Sequence, residues 1–435
     1  MSEISHVKYL ANPKYRKFPF KGLIGWILAN RPPSVEDLQS KYEFRYYSTM
    51  NKAVTDVNNG TTANADAEKG TAVAGVYTDE NGGKNVVLLK DHTEASRITL
   101  SADMTVNLGG HMFSTGDKVG IDIASGNIFI DGRLHRSGVH VIRNDGGNAK
   151  VLQLKSAYTG ACTVIGGDYT GESNGATNNA CVAVLGGSVN IRSANIYAID
   201  INGTTQGVSV NDGANVSIFN SNIRAISTKG KTRGINSAGT ASVSQCDILA
   251  YSNYHGDDSD YTEDSVGIQN TGTMTIHDCY SMGAHSGVSN LGTLYVNGGT
   301  YEGYGHGGFY FSGTGTTSYA RNAVIRDCDM PDGYTATSQR NGAGFYLGDA
   351  TNVNVYMDNC DIYGTAASQI FVIKTTDNAL YISNSTINNQ NGGATNVRID
   401  SGNTLYLGRG NNFDATNTNN PEAVVVTDEV YREVA

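Results

Sequence analysis

From Val189 to Leu407 the chain repeats one short pattern of apolar and polar positions. Two apolar residues stand two apart, and a small residue follows three positions after the second. A large apolar residue usually comes two further on. The small residues are Ala194, Ser221, Cys246, Cys279, Gly299, Cys328, Cys360, Ser385 and Gly410. Apolar positions two apart have the period of a strand with one buried face. The small residue then marks a bend too tight for bulk. Successive members lie 27, 25, 33, 20, 29, 32, 25 and 25 residues apart. A period near 25 is too short for a propeller blade and lacks the leucine-rich signature.

The pattern predicts an all-β fold, a right-handed single-stranded parallel β-helix of about 9–12 coils with an extended, partly irregular N-terminal arm. No coil can bury its inner face alone, but stacking gives neighbours a common core. Three upstream turns fit "MTVNLGGHMF", "NIFIDGRLH" and "TVIGGDY", the bend there reading one residue shorter. Twelve coils at the usual strand spacing would make a rod roughly 55 Å long. Right-handed winding is the default for parallel crossovers. The expected division is an arm over 1–56, a connector and cap over 57–97, the β-helix over 98–413 and a tail over 414–435. Cys246 with Cys279, and Cys328 with Cys360, are expected in adjacent coils as buried, reduced thiols, because a strand spacing is long for disulfide geometry.

Composition adds the arm. Residues 1–56 hold nine Lys or Arg against five Asp or Glu, four of the six Pro and the only Trp, but two of the 53 Gly. That segment is near +4, and the remainder near −14 of a net −10. Four prolines deny it helical or strand periodicity. Ser34 and Asp37 can cap a short helix through "VEDLQSKYEF". "GLIGWILA" follows basic residues but leads into "NRPPS" without a small-residue cleavage site, so it reads as part of the arm. An acidic chain lacks the basic footprint of a nucleic-acid binder. No segment approaches the ~20 apolar residues of a membrane span. Six Cys follow no zinc spacing, so neither a metal nor any other cofactor is expected.

Short Gly-, Asn- and Thr-rich coils behind a non-globular arm resemble the β-helical tail spikes, fibres and appendages of bacteriophages. The resemblance covers residues from about 70 to 415 as architecture. It implies a virion protein, in the tail or a capsid appendage, that displays a β-helix to host-surface polysaccharide. It also implies a homo-oligomer, commonly a trimer, although the short stretch after Gly410 has no room for a C-terminal trimerisation domain. Contact with other virion proteins would run through residues 1–56, with Lys14, Arg16, Lys17, Phe18, Phe20, Trp26 and Arg31 as anchors. The alternatives are a polysaccharide depolymerase, hydrolase or lyase, on the same rod and a bacterial surface adhesin.

Function is expected on the outside of the rod. Four residues before the small column stand Tyr295, Tyr356, Tyr381 and Tyr406, the last three in consecutive coils. Such rings suit sugars or a neighbouring subunit. Extra length follows Ile248 in "LAYSNYHGDDSDYTEDS" and Met330 in "PDGYTATSQRNGAG", at the same turn three coils apart. The two minimal coils between them would floor a groove. His285, Glu302, Tyr304 and His306 would face it, with Asp257, Asp258, Asp260, Glu263 and Asp264 on one wall. His285 and Tyr304 join the four tyrosines as binding candidates. Glycoside hydrolysis needs a pair of carboxylates, so Asp257, Asp258, Glu302 and His306 are the catalytic candidates, although the sequence leans away from an enzyme. Polygalacturonases carry Asp-Asp, Gly-His-Gly and Arg-Ile-Lys. Asp257-Asp258 and Gly305-His306-Gly307 are similar in order, while Arg398-Ile399-Asp400 departs at its last position. The acidic run at Asp257, Asp258 and Asp260 could hold Ca²⁺ loosely but lacks the Gly and terminal Glu of an EF-hand loop.

Overall fold

The computed structural model describes residues 32–252, 265–303, 307–327, 344–364, 371–373, 376–389, 397–412 and 418–427. Its strands form three long sheets, one of 16 strands and two of 12. The chain visits the first, second and third sheet in turn and then starts again one layer on. The first coil is Lys84–Leu88, His92–Glu94 and Ile98–Leu100; the twelfth is Ala379–Ser383, Thr386–Asn389 and Val397–Ile399. This is a parallel β-helix.

The register follows the apolar columns. Val189, Val216, Ala241, Met274 and Leu294 are successive partners on the first sheet, as are Ile191, Ile218, Val243, Ile276 and Val296. Both columns point inward and are buried. They belong to one apolar cluster that runs from Tyr47 to Leu407.

One coil corrects the expected phase. The strand Thr317–Arg321 carries inward Ser318 and Ala320, which pair with Leu294 and Val296 before them and Val355 and Met357 after them. The small residue of that coil is therefore Ala323, not Cys328. Cys328 lies outside the described residues. The last turn also differs: Gly410 takes a left-handed φ of 79°, and Asn411 occupies the small position, its Oδ1 accepting from the Ser385 N–H at 2.9 Å. The bend at Gly166-Gly167 is not shorter, because Val164 pairs with Ile191 and Tyr169 with Ile196.

From the fifth coil to the twelfth, each bend between the first and second sheets places a left-handed residue before the small one. These are Ser193, Asn220, Gln245, Asp278, Gly298, Asn322, Asn359 and Asn384, with φ between 48° and 76°. Asn and Asp tolerate this region better than other side chains with a Cβ, which explains their prevalence. Five cysteines (162, 181, 246, 279 and 360) are free and buried.

The N-terminal end is closed by the helix Met50–Asn59, whose Met50, Ala53, Val54 and Val57 are buried on the first coil. Glu94 fixes it by accepting from the Met50 and Asn51 N–H groups at 2.6 and 3.0 Å. A carboxylate there also meets the positive end of the helix dipole. The helix Val35–Lys41 bears the capping box expected of Ser34 and Asp37. So the later part of the basic segment is the rod's own cap.

Candidate functional site

The outer centre column of the first sheet is small and polar through four coils, as Asn190, Ser217, Ser242 and Thr275. It then becomes Tyr295, Tyr319, Tyr356, Tyr381 and Tyr406 in five successive layers. Ring centroids are 5.5, 5.1, 4.3 and 4.5 Å apart, with interplanar angles of 3°, 12°, 9° and 5°. Offset-stacked aromatic pairs contribute about 0.5–1.5 kcal/mol each beyond area burial. The columns beside the ladder are polar on one side, with Asn297, Arg321, Asp358 and Ser383, and mixed on the other, with Thr317, Asn354, Ala379 and Thr404.

Tyr319 was missed in the sequence because Cys328 had been given that coil's small position. The dipeptide Asn322-Ala323 was the available signal, since it matches the left-handed-then-small pairs of the other bends. The ladder is therefore continuous. Its geometry also changes what it offers: each interior ring has both faces covered by its neighbours and presents its edge. Tyr295 differs, because its partner on the N-terminal side is Thr275, too small to cover a phenol ring.

The groove expected from the sequence would lie at another turn, between the second and third sheets. Residues 253–264 and 328–344 both connect the second sheet to the third, in the seventh and tenth coils. Between them the same connection is short, from Gly283 to Ser286 and from Gly303 to Gly307. The placing of the two insertions at one turn, three coils apart, agrees with the sequence reading. Asp257, Asp258, Asp260, Glu263, Asp264, Tyr304 and His306 lie outside the described residues, as do Lys14, Arg16, Lys17, Phe18, Phe20, Trp26 and Arg31.

Two of the residues expected to face the groove are described. His285 is 3% exposed, shares a hydrogen bond with Ser286 Oγ through Nδ1 at 3.0 Å, and meets Tyr310 edge-on at 5.1 Å. Tyr310 in turn stacks on Tyr346 at 5.6 Å. Glu302 points outward on the second sheet, opposite core residue Tyr301, yet is 6% exposed. The Tyr280 hydroxyl donates to its Oε2 at 2.6 Å, and the Arg326 guanidinium donates to its Oε1. Such a charge-assisted cluster holds a carboxylate in place. Glu302 and His285 sit in adjacent coils, each engaged with its own partners.

Among the described residues no group of three or more His, Cys, Asp or Glu is arranged to hold a metal, and no helix is long and apolar enough to cross a membrane. No known protein family matches the chain, and no curated protein does either.

Proposed function

We propose that the protein is a surface-displayed appendage, of the bacteriophage tail-spike or tail-fibre kind, whose rod binds host polysaccharide without cleaving it. The observation that carries this reading is the five-ring tyrosine ladder, flanked on the same outer face by mostly polar columns of Asn, Ser, Thr, Arg and Asp. Aromatic rings beside hydroxyl and amide groups suit sugars, which have an apolar face and a polar rim. A straight, regular rod holds such a face rigid, which limits the ordering cost on binding. The basic, aromatic N-terminal segment supplies the attachment to a larger assembly, and the rest of the acidic chain projects from it.

Bond cleavage would require a carboxylate free to exchange a proton with substrate. Glu302 is instead bonded to Arg326 and Tyr280, which weighs against it as the catalytic carboxylate. The test is retention of the full chain on immobilised capsular and cell-wall polysaccharides, with the soluble fraction assayed for new reducing ends and unsaturated sugars. Retention without new ends supports the reading. Released ends or unsaturated products would replace it with a depolymerase, and no retention on any glycan removes it.

A further inference from the structure

The tyrosine ladder ends in a step. Neighbouring rings are parallel to within 12° and follow one another from coil to coil, so their faces look along the rod. Beyond Tyr406 the next partner is Val425, a branched side chain against that last ring. Before Tyr295 the partner is Thr275. Thr273, Thr275 and His277, the outward residues of the strand Thr273–His277, are all exposed. Ser242 and Ser217 continue the centre column through the two coils before it and are exposed as well. A low hydroxyl floor therefore runs up to a wall one phenol high, in which Thr293 and Asn297 flank Tyr295. Sugars stack on an aromatic ring through the face of the pyranose, whose C–H groups meet the negative π-face. A sugar seated on Tyr295 thus stands across the rod with an edge on Thr275. The rings of a linear polysaccharide lie roughly in line with its chain. A chain running along the rod would meet the wall end-on, whereas a chain running parallel to the strand lays a face against it.

We infer that this ledge takes a short internal stretch of an uncharged linear polysaccharide, lying across the rod with one unit stacked on Tyr295. The inference rests on the glycan-binding reading above and adds the direction, length and charge of what is bound. The three outward positions of the floor span roughly 13 Å of strand, the reach of about three sugar units. The hydroxyls of Thr273 and Thr275 and the imidazole of His277 lie beneath those units as hydrogen-bonding groups. Asp278 ends the floor beside His277 at 3.0 Å. It adds to the −10 carried by the whole chain, and both disfavour a polyanion. Arg321 stands one coil behind Asn297 and next to Asp358, away from the floor.

The full chain is titrated with oligosaccharides of graded length, cut by mild acid from each polysaccharide that retains it, and affinity is followed against length. Affinity should rise up to about three or four units and then level off. The double variant Thr273→Ala/His277→Ala should weaken binding about fivefold, the loss of one hydrogen bond. Ser217→Trp, which raises a barrier on the floor two coils away, should leave affinity within about twofold of the wild type. An affinity that keeps climbing well past that length describes a chain lying along the rod and overturns the inference, while glycan binding stands. So does an affinity lost in Ser217→Trp and kept in the double variant. Retention on carboxylated or sulfated polysaccharides alone overturns it too. If either variant loses its β-sheet circular dichroism, the length series decides by itself. If no polysaccharide retains the chain, the glycan-binding reading fails and this inference falls with it.

Discussion

Ser221 Oγ accepts from the Ala194 N–H at 3.2 Å and donates to the Phe219 carbonyl at 2.9 Å. Cys279 does the same for the Cys246 N–H and the His277 carbonyl, and Ser385 for the Cys360 N–H and the Ser383 carbonyl. The small column is thus small for space and hydroxyl- or thiol-bearing for hydrogen bonding, since a buried bend leaves an N–H that the strand ladder does not reach. Ser221→Ala should destabilise the rod by about 1–3 kcal/mol, the cost of an unpaired buried N–H, while Ser221→Cys should cost less; urea unfolding separates them. At the ladder, Tyr295→Ala should weaken polysaccharide retention roughly fivefold, the equivalent of about 1 kcal/mol of ring stacking. Tyr356→Ala should leave an edge-on contact largely intact and act mainly on stability. Equal loss of retention in both variants would contradict a binding face at the ladder's end.

A second repeated element lies on the third sheet. Gly207, Gly234, Gly267, Gly287, Gly308 and Gly344 each precede a core residue and occupy one column. A Cβ at Gly207 would stand 2.4 Å from Ile223 Cγ2, and one at Gly234 would stand 2.3 Å from Ile248 Cγ2. The column lets the inward isoleucines of the second sheet press against bare backbone of the third. Gly234→Ala should therefore destabilise by about 1–3 kcal/mol through overpacking, measurable as a lower urea midpoint with little change in slope. Wild-type stability in that variant would mean that the sheets separate more easily than this packing implies. The pairs Gly-Val, Gly-Ile and Gly-Phe are visible in the sequence at these positions. With Asn322-Ala323 they phase the tenth coil, which the apolar residues alone left ambiguous: Ala323 and Ile325 are themselves two apart, and Asp327-Cys328 imitates a bend.

Over the whole molecule, titration at high pH follows from the dry interior. Burial pushes the thiols of Cys162 and Cys360 up to about 12, and the phenol of Tyr158 also up to about 12. The folded chain keeps protons that the unfolded chain releases from about pH 9 upward. Stability from these groups is fully present below about pH 9 and is lost as pH rises toward 12. The melting temperature should fall steadily over that window, and a flat profile would show that these side chains are accessible. The same burial keeps the Cys162 and Cys360 thiols from alkylating reagents, because the reactive form is the thiolate.

The β-helix, its coil period and the turn that carries both long connections were legible in the sequence. Strand alternation and stacking require each inner face to repeat its apolar residues layer by layer, and insertions are tolerated where the chain leaves that stack. The phase of one coil, the continuity of the tyrosine ladder and the covering of its inner rings were decided by register, which depends on which backbone neighbours pair. Burial of Glu302 beside Arg326 and Tyr280, and of His285 against Tyr310, was likewise a matter of tertiary placement. Those partners are 20 to 25 residues away in the chain and meet only because one full coil returns each strand beside its predecessor.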